Sequence, residues 1–353
     1  MKNFADGHVH LDAPTDDEVI SFLDTLADIG ITDASLLSLV EHHKHSKIQN
    51  VLVLYWKNRY KKIKLRAFGA LHETDVYKDV PYEKQIESLL DIGCDGIKFI
   101  HMKPDLRKLL GCGLDDTAYD KALSILEERG VPVVIHSGDP ETFWDITKMQ
   151  KYWIERGWFY GDGTYPSYLD IYEEDFRMLD KHPRLKVDFA HFFFLSNRID
   201  EAKRVMEKYP NVSFDLTPGW EMYVGFSEKI DQWHDFFVTY SDRIMFGTDS
   251  NSIKDSNREL NLLVKQALTH DRSEFPMPCF GGKIIKGLDL PSDVVEKICY
   301  KNYARFVGES TAQTDMNAVY ERAERMLSDF TRDGGYENEV KWLKELFKKE
   351  VKA

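Results

Sequence analysis

Two histidines stand one residue apart near the start of the chain, in the stretch KNFADGHVHLDAP. Imidazole nitrogens are good ligands for borderline divalent ions, so His8 and His10 could form one arm of a metal site. The chain has 12 histidines in 353 residues, and roughly 0.4 His-x-His pairs are expected by chance at that composition. The segment FADGHVHL has the alternation of a short strand, in which residues i and i+2 share a face. We therefore expect the two imidazoles to point the same way.

A second pair with the same spacing, His43 and His45, occurs in LVEHHKHSK. Glu41, Lys44 and Lys47 lie beside it, and such a charged segment is typical of a solvated loop. Nothing in these polar flanks would strip water from an ion. We interpret this pair as a loop that does not bind metal.

Composition and charge exclude several classes of protein. With 42% hydrophobic and 13% aromatic residues, the chain can bury a large core. The net charge of -13 opposes binding to nucleic acid or to an anionic membrane surface. The start of the chain has no apolar signal-type region, and no stretch approaches the ~18 apolar residues of a membrane span. The four cysteines show no CxxC spacing, so we expect a reduced, cytoplasmic setting.

Apolar runs of strand type alternate with amphipathic runs of helix type along the chain. After the first strand, TDDEVISFLDTLADIG predicts a helix with Thr15 as N-cap, Glu18 completing a capping box and Gly30 as the stop. A basic amphipathic helix is predicted over residues 47–64. The other seven predicted strands are ITDASLLSLV, KLRAFGALH, DGIKFIH, VPVVIHSGDP, RLKVDFAHFFF, NVSFDLTP and RIMFGTDS.

Eight strand–helix units favour an α/β fold of the (β/α)8 TIM-barrel type over residues 1–308. No Gly-x-Gly-x-x-Gly or Walker-type phosphate loop is present, which argues against an open nucleotide-binding sheet. Residues 309–353 predict charged amphipathic helices separated by Gly334 and Gly335. We interpret this helical C-terminal extension as a packing or oligomer-contact element without catalytic residues.

Polar residues lie where the predicted strands end, which is where barrel enzymes place their active sites. They are His8, His10, Lys98, His136, His191 and Asp249. Each has an ordinary alternative: a histidine can be a hydrogen-bonded core residue, Asp249 a helix N-cap, and Lys98 can extend its ammonium group out of the barrel. Together, three imidazoles and a carboxylate in one apolar mouth are the ligand set that Zn²⁺ prefers.

With these motifs the chain resembles the amidohydrolase superfamily, specifically its amidohydrolase 2 branch, which contains the aminocarboxymuconate-semialdehyde decarboxylase-like enzymes. The likeness extends over roughly residues 4–308 and rests on DGHVHL, GIKF, VVIHSGDP, DFAH, MFGTDS and LDLPSDVVEKICYKNYARFVG. The resemblance implies a distorted (β/α)8 barrel. It also implies that metal is held by His8, His10, His136 and Asp249, while His191 polarises bound water or substrate.

Two segments that follow predicted strands bear on the shape of the pocket. One departs from the family pattern, and the other is a long loop that we expect to influence specificity. FFFLSN follows His191, where many relatives have a glycine-rich turn, so we expect a bulkier and more apolar pocket wall. The long loop GDPETFWDITKMQKYWIERGWFYGDGTYPSY is rich in Trp and Tyr. Because loops on this face of a barrel shape specificity, we interpret it as a lid or pocket wall.

Three functions fit these residues. In metal-dependent hydrolysis of an amide, cyclic amide or lactone, a Zn²⁺ or Mn²⁺ ion would activate water and polarise the carbonyl. Asp249 would transfer the proton, and His191 would orient the nucleophile or stabilise the oxyanion. Lys98, with Arg107 and Lys103, would bind a small-molecule substrate's anionic group. The alternatives are non-oxidative decarboxylation of an aromatic or unsaturated acid and a non-catalytic, metal-binding or ligand-binding barrel. A homo-oligomer is left open.

The number of metal ions depends on Lys98. In binuclear amidohydrolases a strand-four lysine is carboxylated and bridges two ions, and the histidines of strands five and six serve the second ion. Every residue type for that arrangement is present. The resemblance to a branch in which a single ion is usual favours one ion per chain, with Lys98 as a plain amine that faces the substrate.

Overall fold

The computed structural model describes residues 3–12, 15–41, 46–74, 77–252 and 257–350. His43 and His45 lie outside the described residues, so their interpretation stays a prediction. No helix in the described part of the chain is both long and apolar enough to cross a membrane.

One parallel sheet contains nine strands, in the order β8-β7-β6-β5-β4-β3-β2-β1-β9. They are β1 (Ala5–His10), β2 (Asp33–Leu37), β3 (Lys64–Gly69), β4 (Gly96–Met102), β5 (Pro132–Ser137), β6 (Lys186–Phe189), β7 (Val212–Asp215), β8 (Ile244–Met245) and β9 (Ser250–Asn251). The strands are buried along nearly their whole length, as expected of a parallel sheet covered by helices.

The predicted eighth strand is split into β8, which pairs with β7, and β9, which pairs with β1. Between them, the Gly7 N–H donates to the Phe246 carbonyl at 2.9 Å, and the Asp249 N–H donates to the His8 carbonyl at 2.9 Å. The interrupted strand therefore closes the sheet into an eight-stranded barrel. This confirms the predicted TIM-barrel fold.

Helices connect the strands and continue beyond them. They are α1 (Asp16–Asp28), α2 (Gln49–Arg59), α3 (Tyr82–Ile92), α4 (Pro104–Leu110), α5 (Thr117–Arg129), α6 (Lys151–Glu155), α7 (Tyr168–Lys181), α8 (Ile199–Lys208), α9 (Trp220–Glu228), α10 (Ile230–Thr239), α11 (Asn257–Thr269), α12 (Ser292–Glu296), α13 (Asn302–Val307), α14 (Met316–Asp333) and α15 (Glu337–Glu350). A π-helical turn, Lys297–Lys301, joins α12 to α13. An antiparallel hairpin of β10 (Glu274–Met277) and β11 (Lys283–Lys286) follows α11.

The start of α1 differs from its prediction. Thr15 is the N-cap residue, but its side chain accepts no backbone hydrogen bond. The Thr15 hydroxyl donates to the Glu18 carboxylate instead, and the predicted capping box is therefore wrong. The end of the helix is as predicted, because Gly30 follows in the left-handed region at φ 92°.

The helix predicted over residues 47–64 is present as α2, but the prediction that it is amphipathic is wrong. Every residue of α2 from Gln49 to Lys57 is buried, including the lysine. The reason is that α2 lies between the barrel and the C-terminal helices: it contacts β3 on one side and α14 on the other. The Lys57 ammonium is neutralised by Asp95, with Nζ to Oδ2 at 2.7 Å.

The C-terminal helices α14 and α15 pack onto the barrel. They are separated by Gly334 and Gly335, as the sequence predicts, and both glycines have positive φ. Apolar residues of both helices, including Phe330, Trp342 and Leu343, belong to the same hydrophobic core as the barrel. The extension therefore contributes to the main core, and the division of the chain at residue 308 stays a prediction.

Candidate metal centre

Three predicted ligands meet at the closure of the barrel. His8 and His10 in β1 direct their Nε2 atoms to within 3.2 Å of each other, and Asp249 Oδ1 lies 3.1 Å from His10 Nε2. One donor atom from each residue lies within 4.8 Å of the others. Gly247 permits this approach, because a Cβ there would lie 3.2 Å from the Cβ of His8. The two histidines are buried, and the Asp249 side chain is 34% exposed, so the group is open on one side.

The other ring nitrogens of the two histidines are fixed by acceptors. His8 Nδ1–H donates to Asp215 Oδ2 at 2.7 Å, and His10 Nδ1–H donates to the Leu37 carbonyl at 2.8 Å. Such acceptors set the tautomer and leave each Nε2 with its lone pair, the arrangement found behind metal-binding histidines. Burial and the nearby Lys98 lower the pKa of His8 to about 3, which keeps its ring neutral.

Asp215, at the end of β7, is a functional residue that sequence reasoning missed. It is fully buried and accepts hydrogen bonds from His8 Nδ1, from the His191 N–H at 2.8 Å and from the Thr217 N–H at 3.1 Å. Burial alone would raise the pKa of this carboxyl, but His8 and the hydrogen bonds hold it below its ordinary value. The signal was present in NVSFDLTP, a strand that ends in a carboxylate.

His191 lies directly after β6, beside the ligand group rather than within it. Its Nδ1 is 3.2 Å from the Thr217 carbonyl, and its ring centroid is 5.7 Å from that of His8 and 4.8 Å from that of His136. Burial lowers the pKa of His191, which favours the neutral ring. The backbone over residues 191–194 is left-handed, with φ between 51° and 57° at four consecutive non-glycine residues. This turn aims the imidazole into the barrel mouth.

His136, at the end of β5, is not part of the compact group of three donors that the described residues form. Its nearest carboxylate is Asp139, with Oδ1 at 3.6 Å from Nε2. Burial lowers the pKa of His136 to about 3, so the ring is neutral. The structure thus places His136 next to His191, and its predicted role as a metal ligand stays a prediction.

Lys98 in β4 is buried inside the barrel, and within the described residues its Nζ has no hydrogen-bond partner. Burial lowers the pKa of its ammonium to about 8, although Asp215, Asp249 and Asp188 act in the opposite direction. The lysine is therefore close to the candidate ligands, where the sequence predicted it. Its carboxylation state and its role toward substrate stay predictions.

The two other predicted substrate cations are occupied within the protein. Arg107 in α4 makes a bidentate pair with Glu174 in α7, at 2.7 and 2.6 Å. Lys103 pairs with Asp139 and is buried. Arg107 thus points toward α7, where Glu174 binds it. This geometry does not support the predicted pairing of Arg107 or Lys103 with a substrate carboxylate.

The phenylalanines after His191 are divided between core and cavity. Phe192 and Phe193 are fully buried, and Phe193 stacks on Phe189 with ring centroids 3.8 Å apart. Only Phe194 reaches the cavity beside His191. The expectation of a bulky apolar wall therefore holds for one of the three, because the rings of the other two lie in the core.

The long loop after β5 forms part of the same cavity through its first residues. Pro140, Glu141 and Thr142 line the wall. Most of its aromatic residues contact each other instead of the cavity; Phe143, Trp153, Trp158 and Tyr160 are four of them. The loop is a wall at its beginning and a self-packed aromatic cluster farther on.

The cavity beside His191 has a volume of about 230 Å³. It is formed by the segments that follow β5, β6 and β7. Its lining includes Glu141, His191, Phe194, Trp220, Glu221 and Glu228. It is large enough for a small ring or a short chain attached to a reacting group.

Fold and site together define a class: a parallel eight-stranded barrel with a histidine–histidine–aspartate group at the carboxyl ends of its strands. Residues 6–308 match the family Amidohydro_2, described as Amidohydrolase, and the chain belongs to that family. The predicted membership is thereby confirmed, and the described site is consistent with a divalent metal centre. Among curated proteins, no sequence matches this chain.

Solved structures share the fold at low sequence identity. A 2,6-dihydroxybenzoate decarboxylase from Rhizobium is 16% identical with a TM-score of 0.52, over 87% of this chain and 98% of that one. A 4-oxalomesaconate hydratase from Rhodopseudomonas palustris is 13% identical with a TM-score of 0.51, over 92% and 99%. An uncharacterized TIM-barrel protein from Bordetella bronchiseptica is 15% identical with a TM-score of 0.53, over 86% and 98%. These likenesses establish the fold alone.

Proposed function

We propose that this protein is a metal-dependent hydrolase that cleaves an amide, cyclic amide or lactone bond of a small molecule. One observation carries the proposal: His8 and His10 both have Nδ1 fixed by an acceptor, while both Nε2 atoms converge on the Asp249 carboxylate. A structural histidine has no need for this arrangement, whereas a metal ligand does.

The donor set fits one divalent ion of borderline character, Zn²⁺ or Mn²⁺. His8, His10 and Asp249 would hold it, with His136 as the further ligand that the family resemblance implies. When bound, the ion supplies Lewis acidity that polarises a substrate oxygen. The Asp249 side chain is 34% exposed, whereas that of His10 is 4% exposed, so Asp249 is the more accessible of the two ligands.

Asp249 transfers the proton, and His191 orients the attacking water. Asp249 Oδ accepts the proton of the attacking water and delivers it to the leaving nitrogen or oxygen, since its carboxylate is the exposed member of the group. His191 presents Nε2 as an acceptor, because its Nδ1–H is donated to the Thr217 carbonyl. This tautomer favours orientation of the attacking water over stabilisation of an oxyanion, which needs a donor.

A second candidate is non-oxidative decarboxylation of an aromatic or unsaturated acid. It is favoured by Lys98, whose buried Nζ has no hydrogen-bond partner within the described residues. A substrate carboxylate placed near this ammonium would satisfy it. The fold is shared with a 2,6-dihydroxybenzoate decarboxylase, a fact that supports the possibility of such chemistry on this scaffold without selecting it.

Product analysis tests these proposals. Elemental analysis of the purified chain should find about one Zn²⁺ or Mn²⁺ per chain. The metal-loaded protein is then incubated with a panel of amides, cyclic amides, lactones and aromatic carboxylates. A cleaved or ring-opened acid supports the hydrolase, and released CO2 supports the decarboxylase. No turnover across the panel would support a binding protein and overturn both enzymatic proposals.

A further inference from the structure

The cavity beside His191 has an unusual set of charges. Of the charged or titratable residues that line it, three are glutamates and one is a histidine, and none of its described lining residues is a lysine or arginine. Glu228 is exposed at the rim, whereas Glu141 and Glu221 are partly buried. The cavity adjoins the candidate metal centre, so its charge acts on the part of a substrate that does not react.

The two inner glutamates differ in their partners. Glu141 is neutralised by Arg198, whose Nε donates to Oε2 at 3.1 Å and whose guanidinium binds both carboxylate oxygens. Asn197 Nδ2 also donates to Glu141 at 3.3 Å. Glu221 has no ion-pair partner within the described residues. Its carboxyl is therefore available to form an ion pair with a ligand in the cavity.

The position of Glu221 is set by the turn before α9. A Cβ at Gly219 would lie 2.7 Å from Glu221 Oε2, so the carboxyl is folded back over the glycine and stays in the wall. The nearest cation, Lys283, lies over the ring of Trp220 at 3.9 Å and makes no salt bridge to Glu221. Burial and, to a smaller extent, the charge of Asp139 raise the pKa of Glu221 to about 7, although a backbone hydrogen bond and the charge of Lys283 act in the opposite direction.

We propose that Glu221 determines specificity by binding a cationic amino group on the non-reacting part of the substrate. The proposal rests on the proposed function only in taking this cavity as the substrate site. The walls formed by Phe194 and Trp220 supply apolar contact for the carbon skeleton that carries the amino group. A carboxylate at this position of the substrate would be repelled by the same wall. The inferred substrate is therefore an amide or lactone that carries an amino group.

Three probes with one aromatic ring test the proposal: benzylamine, a cation at neutral pH, benzyl alcohol, which is neutral, and phenylacetate, an anion. Binding to the metal-loaded full chain is measured by calorimetry or ligand-observed NMR at pH 8, where Glu221 is ionised. Benzylamine should bind at least about tenfold more tightly than benzyl alcohol, as expected for a hydrogen bond between charged groups. Phenylacetate should bind most weakly.

Two substitutions separate this site from the overall charge. Glu221→Gln should reduce benzylamine affinity to that of benzyl alcohol and improve phenylacetate binding. Glu228→Gln removes the same charge from the exposed rim and is the matched control; it should change each affinity by less than about twofold. Gly219→Ala keeps the charge but displaces the carboxyl, and it should weaken benzylamine binding as well. It also provides the test if Glu221→Gln fails to fold.

The inference is overturned if phenylacetate displaces benzylamine from this cavity with an affinity equal to that of benzylamine. It is also overturned if Glu221→Gln and Gly219→Ala leave the preference for benzylamine unchanged, or if Glu228→Gln removes it equally well. Metal content is measured in each variant. Where it is equal, ligation of an amine or a carboxylate to the ion is the same in all variants and cannot produce a difference between them. Since the probes are not turned over, normal probe binding with no products from the substrate panel would reject the proposed hydrolysis alone.

Discussion

Replacement of Asp215 by asparagine tests whether the histidine group is a metal site. The Asp215 carboxylate accepts from His8 Nδ1 on Oδ2, and from the backbone N–H groups of His191 and Thr217 on Oδ1. The Thr217 hydroxyl also donates to Oδ1, so all four partners are donors, whereas an amide offers only one acceptor atom. In Asp215→Asn the amide NH2 must therefore face a donor on one side, and either His8 or the turn at His191 loses its anchor.

The size of the effect follows from this geometry. Loss of an outer partner of a metal-ligating histidine costs 10–100-fold in metal affinity, or about 1.4–2.8 kcal/mol. Asp215 is fully buried, and its bond to His8 is 2.7 Å long, so solvent cannot replace it. We expect Asp215→Asn to fall in the upper half of this range, with about 30–100-fold weaker binding. Zn²⁺ affinity is measured by competition with a chromophoric chelator at pH 7.

Asp188 in β6 provides the matched control. It is buried in the same barrel, and burial together with the charge of Asp215 raises the pKa of its carboxyl well above the ordinary value. Asp188 Oδ1 has no hydrogen-bond partner within the described residues, and the two histidines are anchored by Asp215 and the Leu37 carbonyl, so Asp188→Asn leaves both anchors in place. Metal affinity should change by less than about twofold. Equal Zn²⁺ affinity for wild type and Asp215→Asn, or an equal loss in Asp188→Asn, would refute the assignment.

Three further predictions use the same protein. His191→Asn should keep the bound ion but lower kcat by about 10²–10⁴-fold, because the group that orients the attacking water is lost, and metal loss measured by elemental analysis would contradict this role. Lys98→Ala should keep one ion and raise KM or lower kcat; rescue by short-chain carboxylic acids, or density for a carbamate, would instead favour two ions. Burial raises the pKa of Glu73, but hydrogen bonds from His101 and two tyrosines outweigh burial and hold it below the ordinary value. The ionised form therefore stabilises the fold above pH ~4.5, and this contribution disappears as the pH falls through the lower folded-state pKa. Glu73→Gln should lower the urea midpoint of the metal-free chain by more at pH 6 than at pH 3; equal losses at both values would contradict it.

The barrel could be predicted because its signal is local. Each buried strand is a short apolar run, and a parallel barrel brings the end of every strand to one face. His8, His10 and Asp249 could therefore be placed together although about 240 residues separate them. The left-handed backbone at Asp249, φ 52°, is the detail that no periodicity predicts.

The missed features depend on partners distant in sequence. The burial of α2 requires the C-terminal helices, which lie about 270 residues farther along the chain. Arg107 reads as a free cation until α7 supplies Glu174, and Asp215 reads as an ordinary strand end until His8 faces it. Amphipathic patterns describe one helix face and one solvent face, and they fail where a helix is covered on both sides.

The left-handed turn at residues 191–194 makes thermal stability and activity opposing targets for selection. Left-handed backbone costs about 1–2 kcal/mol at each non-glycine residue, and this turn contains four in succession. Phe192 and Phe193 hold it through their rings in the core. Glycine at the more accessible Phe194 would relieve backbone strain, but it would also loosen the segment that aims His191. A library screened for heat resistance alone should therefore accumulate glycine at position 194, whereas a screen for turnover should keep the phenylalanine.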